Sequence, residues 1–227
     1  MLNIDMAEIY KNILNNTEVS ELLDYHSIDD DRTDSRETVR SKHPRWAIDL
    51  WPKTIVKKVL DSVLEKDYTV EEVIFNQSRI SFQLHADSGY NTDASKPYKA
   101  VLLPLYCENG KGSTAFFNNF WHGEAAKFTR AEDPYGAVKD KKGQLSTKDQ
   151  RVTDYSKVEN YNNRPFDRTL YEEYFQHIPY ENLHGLSLEQ IANWQPGDAI
   201  VFDRTQIHSA TSEHSEKIGI TIFTQLA

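Results

Sequence analysis

Eight histidines and 35 Asp/Glu residues in a chain of 227 supply the side chains best equipped for chemistry. Imidazole and carboxylate together ligate metal ions or move protons. The close pairing His-x-Asp/Glu occurs three times, as His85-x-Asp87, His122-x-Glu124 and His214-x-Glu216, where chance at this composition gives about one. Context separates them. His85 and Asp87 end the alternating stretch RISFQLHAD (79–87). Read as a strand, this stretch sets Gln83, His85 and Asp87 on one face and Ile80, Phe82 and Leu84 on the other. Two ligands on one face at a strand end can grip an ion and leave space beside it. His122 follows no strand pattern and reads as an exposed loop. His214 sits in the polar turn TSEHSE and reads as solvated. His208 is the third candidate ligand, placed between WQPGDAIVFD (194–203) and a last alternating run. That run opens at Lys217, nine residues after His208, and puts Lys217, Gly219, Thr221 and Phe223 on one face and Ile218, Ile220 and Ile222 on the other. A lysine that opens a strand is by default a solvated surface group; its distance from His208 is what singles this one out.

The elements that must position these residues follow from periodicity. Residues 5–25 predict an amphipathic helix, 26–45 a polar loop, and Pro52 opens a second helix with Ile55, Val56, Val59, Leu60, Val63 and Leu64 on one face. Beyond about residue 70 the period changes to two. Short strands are expected at 70–75, 80–84, 100–106 and 113–117, with a turn at 108–112. Residues 118–185 lack periodicity and predict an insertion with a helix near 168–177 that covers the barrel mouth. Ser187 with Gln190 three residues on predicts a capped helix over 187–193. Gln195-Pro-Gly-Asp198 predicts a type II turn, and strands close the chain at 199–202 and 218–225. The whole is expected to be one domain: helices in 1–66, a jelly-roll barrel from 70–117 and 186–227, and the insertion between.

Composition sets the outer bounds. The 26 Phe, Tyr and Trp residues can bury enough apolar surface to argue against disorder, and a net charge of −9 disfavours binding to phosphate backbones. A single cysteine, Cys107, excludes internal disulfides and thiolate zinc sites, and points to a reducing, cytoplasmic setting. No signal peptide is expected at the N-terminus. No apolar run nears the roughly 20 residues that span a bilayer. Residues 127–168 carry ten Lys/Arg against seven Asp/Glu, so an anionic substrate is one expectation for the insertion, with Arg130, Arg151, Arg164 and Arg168 as its candidate anchors.

The order His85-x-Asp87, long gap, His208, then a basic residue at Lys217 resembles the Fe(II)- and 2-oxoglutarate-dependent oxygenases, in particular their prolyl-hydroxylase-like and phytanoyl-CoA-dioxygenase-like branches. The stretches VLLPLYCENGKGSTAFF and WQPGDAIVFD add to the likeness. The resemblance implies a double-stranded β-helix with His85, Asp87 and His208 on one Fe(II). It further implies 2-oxoglutarate and O2 as co-substrates, with Lys217 on the far carboxylate. Two imidazoles and one carboxylate leave three octahedral positions open, which suits Fe(II) holding both co-substrates; open catalytic zinc is the competing reading, without a HExxH helix to favour it. Two departures matter. The family usually has Arg where Lys217 stands, and often Ser where Gly219 stands. Lysine offers a point charge rather than a fork, so a hydroxyl from Thr221, Thr114 or Tyr106 is expected to assist it. Gln83 is a candidate substrate contact. The substrate, a small molecule or a peptide, is not specified by the sequence. A cupin-like metal enzyme without 2-oxoglutarate and a non-catalytic jelly-roll binding module are the rival readings.

Overall fold

Apolar runs that alternate in burial become the two walls of a barrel. A computed structural model describes residues 6–28, 32–34, 38–44, 53–87, 97–121, 158–212 and 215–227. Its strands are β1 (Glu8–Tyr10), β2 (Arg32–Asp34), β3 (Thr38–Pro44), β4 (Tyr68–Ser78), β5 (Pro97–Cys107), β6 (Ser113–Trp121), β7 (Val158–Glu159), β8 (Leu188–Asn193), β9 (Ala199–Asp203), β10 (Gln206–Ala210) and β11 (Lys217–Leu226). Among the described residues three α-helices join them: α1 (Asn16–Ile28), α2 (Lys53–Val63) and α3 (Arg168–Tyr174). Seven strands form a large sheet in the order β1-β9-β5-β11-β4-β3-β2, and β10, β6, β7 and β8 form a smaller one. Every strand pair described is antiparallel. No helix among the described residues is long and apolar enough to cross a membrane.

The large sheet has an apolar outer face. Phe75, Leu103, Val201, Ile220 and Ile222 there pack against Val19 and Leu22 of α1 and Val56, Val59 and Leu60 of α2. Its inner face carries the other phase of the same strands. Ile74 and Asn76, Leu102, Phe202, and the set Lys217, Gly219, Thr221 and Phe223 all turn into a cavity between the sheets. The alternation read from the sequence of β11 therefore holds residue by residue. On the small sheet Thr114, Phe116 and His208 face inward. Ala115, Phe117 and Ile207 face outward onto Phe166, Phe175, Ile178 and Leu183.

Several expectations are corrected. The first helix is shorter than 5–25: β1 occupies Glu8–Tyr10 and pairs with β9. Asn12 then turns the chain in the left-handed region at φ 53°. A reciprocal cap starts α1, with the Glu18 N–H donating to Asn15 Oδ1 and the Asn15 N–H to Glu18 Oε2. The 26–45 segment holds β2 and β3 rather than only loop, because β4 offers its edge to β3. β4 runs unbroken to Ser78, and the expected strand at 80–84 is irregular. The expected helix at 187–193 is strand β8: Ala192 and Gln190 pair with Thr114 and Phe116, so an open sheet edge overrides a local capping signal. The type II turn is present, with Gly197 at φ 92° and the Asp198 N–H donating to the Gln195 carbonyl at 3.0 Å. Within the insertion, residues 158–186 pack on the outer face of the small sheet; 122–157 lie outside the described residues, and with them His122, Glu124, Arg130 and Arg151.

Candidate metal centre

His85 and His208 meet across a single antiparallel bridge. The His85 N–H donates to the His208 carbonyl and the His208 N–H to the His85 carbonyl, each at 2.9 Å. This bridge docks the irregular 79–87 segment on the free edge of β10. Leu84, buried among Phe117, Phe175 and Ile207, anchors it from outside. The imidazole centroids are 4.1 Å apart. Each ring is held by its own strand, with Nδ1 2.7 Å from the Gln83 carbonyl in His85 and 2.9 Å from the Gln206 carbonyl in His208. A carbonyl only accepts, so both Nδ1 atoms carry the proton and both Nε2 atoms present a lone pair.

Both lone pairs aim at Asp87. His85 Nε2 is 3.7 Å from Asp87 Oδ1, and His208 Nε2 is 3.7 Å from Oδ2. That is too long for hydrogen bonds and suits atoms sharing one ion at bonds of roughly 2.1 Å. The three ligand atoms lie within 4.8 Å of one another. Asp87 Oδ2 is buried and makes no hydrogen bond among the described residues, which is what a ligand oxygen awaiting a cation looks like. Burial pushes the Asp87 carboxyl up to about 6, with His85 and Arg204 pulling the other way. Burial pushes His208 down to about 4, against the Gln206 carbonyl bond. His208 is therefore neutral, as a ligand must be, at any pH near 7. The donor set fits a divalent transition metal.

The cavity beside the triad measures about 190 Å³, smaller than the ~300–1,000 Å³ of sites for drug-sized ligands, and so suits a small organic acid. Lys217 is 3% exposed and turns into it. Thr114 and Thr221 also line it. Tyr106 does not: it is 40% exposed on the outside of β5. Gln83 is also not among the lining residues, and Phe82 takes its place there. Arg164 and Arg168 are exposed; Arg168 is bound to Glu172 and lies over Tyr171 and Tyr180, away from the cavity lining. Arg204 is buried and ion-paired to Glu71. His214 lies outside the described residues.

No protein-family model matches this chain, and no curated protein matches it in sequence. Solved structures do match its shape. Over 98% of its length it resembles SnoN, a non-heme alpha-ketoglutarate-dependent epimerase from nogalamycin biosynthesis, at a TM-score of 0.53 and 8% identity, covering 78% of that chain. Over 97% it resembles HygX from Streptomyces hygroscopicus, solved with nickel, 2-oxoglutarate and hygromycin B, at a TM-score of 0.51 and 12% identity, covering 83% of that chain. The chain has the double-stranded β-helix fold of the Fe(II)/2-oxoglutarate-dependent oxygenases. In this β-helix the position of Gly219 is occupied from across the barrel. A Cβ placed there would lie 3.1 Å from the edge of the Trp194 ring and 3.1 Å from the Leu103 carbonyl. Trp194 is the site residue that sequence reading passed over. Its signal was a glycine inside a strand, which marks the close approach of another group.

Proposed function

We propose that this chain is a non-haem Fe(II)- and 2-oxoglutarate-dependent oxygenase that hydroxylates a small molecule or a peptide and releases succinate and CO2. One observation carries the reading: the convergent Nε2, Nε2 and carboxylate atoms of His85, His208 and Asp87 open onto a small cavity that also contains a buried lysine. His85, Asp87 and His208 would hold the iron. When bound, Fe(II) supplies the open positions and the redox chemistry that couple oxidation of 2-oxoglutarate by O2 to substrate hydroxylation.

The chain's own residues do the rest. The Nδ1–H bonds to Gln83 and Gln206 fix the imidazole planes, so neither imidazole must be reoriented when the metal arrives. In this reading Lys217 supplies the cation for the far carboxylate of the co-substrate, and Thr114 and Thr221, which line the same cavity, assist it. Leu102, Phe202 and Phe223 give the cavity apolar walls. A small-molecule substrate is consistent with the similar structures solved with nogalamycin RO and hygromycin B.

The test is anaerobic titration with Fe(II) and then 2-oxoglutarate. A visible metal-to-ligand charge-transfer band that saturates with 2-oxoglutarate is expected. Failure of the band to form at any concentration, in protein that binds Fe(II), would overturn the co-substrate assignment.

A further inference from the structure

We propose that Trp194 is a length gauge for the co-substrate: its indole closes the cavity beside Lys217, so that a five-carbon 2-oxo acid fits and a longer one does not. The inference rests on the function proposed above and assigns specificity within that site.

The indole cannot retreat. On one side its edge lies against the bare backbone of Gly219, so close that a Cβ there would be only 3.1 Å from the ring. On another its Nε1–H donates to Thr114 Oγ1 at 3.0 Å, a buried bond across the barrel. Its own backbone N–H donates to the Gly112 carbonyl at 2.8 Å. The ring is 8% exposed, packed among Leu102, Ala192 and Phe202. It also stands beside the cation, with the Lys217 ammonium 5.8 Å from the ring centroid.

The strand register places this wall relative to the metal triad. His208 pairs with Phe116, and Ala210 pairs with Thr114. Thr114 and the indole it binds therefore lie one two-residue step, roughly 7 Å, along the strands from the triad. An acid anchored at the triad by its 2-oxo head and at Lys217 by its tail must lie across Thr114 and the indole. An added methylene has two outcomes, pressing the tail carboxylate into a pinned ring or lifting it off Lys217. A rigid wall rejects one methylene about 10- to 200-fold.

The experiment compares 2-oxoglutarate with 2-oxoadipate, which is one methylene longer, by anaerobic titration of the Fe(II)-loaded protein, with the charge-transfer band as the readout. The parent protein is expected to prefer 2-oxoglutarate at least tenfold. Trp194→Ala should cut that preference to threefold or less, with Fe(II) affinity unchanged. Trp194→Phe, a smaller ring that keeps an aromatic wall, should fall between and serves if the alanine variant does not fold. A preference unchanged in a variant that still binds Fe(II) overturns the gauge and leaves the proposed function standing. A parent protein that gives no band with either acid overturns the proposed function and the gauge with it.

Discussion

Two side chains at the triad are tuned in opposite directions by the same burial. Asp87 is pushed from 3.8 up to about 6, and His208 from 6.5 down to about 4. In the metal-free protein the Asp87 shift makes stability fall as pH rises from about 4 to about 6, and the His208 shift makes it fall as pH drops from about 6.5 to about 4. The two trends oppose each other across one window, so the pair biases metal capture more than folding. A divalent ion must displace a proton from Asp87 below about 6. Metal affinity should therefore fall at least about tenfold per pH unit below that point, measured by Co(II) titration between pH 5 and 7. An affinity flat across this range would remove Asp87 from the ligand set. Lys217 makes the second prediction at this scale. Its removal would leave a desolvated carboxylate unpaired, a loss of roughly 2–5 kcal/mol, or about 30- to several-thousand-fold in 2-oxoglutarate affinity. Lys217→Ala should show this by anaerobic titration while Fe(II) binding stays intact. Lys217→Arg should restore only part of it, because a planar guanidinium must fit beside the Trp194 ring.

At the scale of elements, the site depends on a segment that is hardly an element at all. Residues 79–87 make one bridge to β10 and otherwise rely on side-chain anchorage. Leu84 is 1% exposed, in the cluster that seats 158–186 on the small sheet. Leu84→Ala should cost about 2–5 kcal/mol of stability and also weaken metal binding, since the residue beside it is His85. Leu60→Ala, in the cluster between α2 and the large sheet, is its control. It should cost a similar amount in urea unfolding and leave Co(II) affinity alone. Equal metal affinity in the two variants would show that the segment is held by the bridge alone. The β8 strand carries the related lesson. Its sequence has the cap of a helix, yet its pairing with β6 delivers Trp194 to the cavity.

For the molecule as a whole, the two sheets must keep a fixed separation if ligands from one are to face a lysine from the other. Arg204, in the turn between β9 and β10, is one tie. It is 1% exposed, donates to Glu71 of β4 and to the Thr224 carbonyl of β11, and lies over the Phe223 ring. Arg204→Met should destabilise the protein by about 2–3 kcal/mol. This is the low end for a broken buried pair, because Glu71 retains some solvent contact. Glu71→Met combined with Arg204→Met should recover most of the loss, read as urea midpoints. No recovery in the double variant would place the cost in packing rather than in the unpaired charge. With Glu71 on its guanidinium, Arg204 is a structural cation, and among the described residues Lys217 is the cation that lines the cavity.

By itself, the sequence was enough to bring His85, Asp87, His208 and Lys217 forward as a set, through their order and spacing and the likeness these carry; side-chain phase along a strand is likewise a local property. The faces of β11 and the apolar stripe of α2 were legible for the same reason, as was the turn at Gly197. Tertiary structure alone decided the rest. Whether Ser187–Asn193 became helix or strand depended on the vacant edge of β6, which has no local signature. Gln83 was assigned to the interior by phase and Tyr106 was offered as a hydroxyl beside Lys217; neither lines the cavity, because β5 shifts register near Pro104 and 79–87 abandons regular pairing. Trp194 and Gly219 stand 25 positions apart in the chain and declare themselves only in contact. A group's distance from others in sequence says little about its packing, and packing is what shapes the cavity.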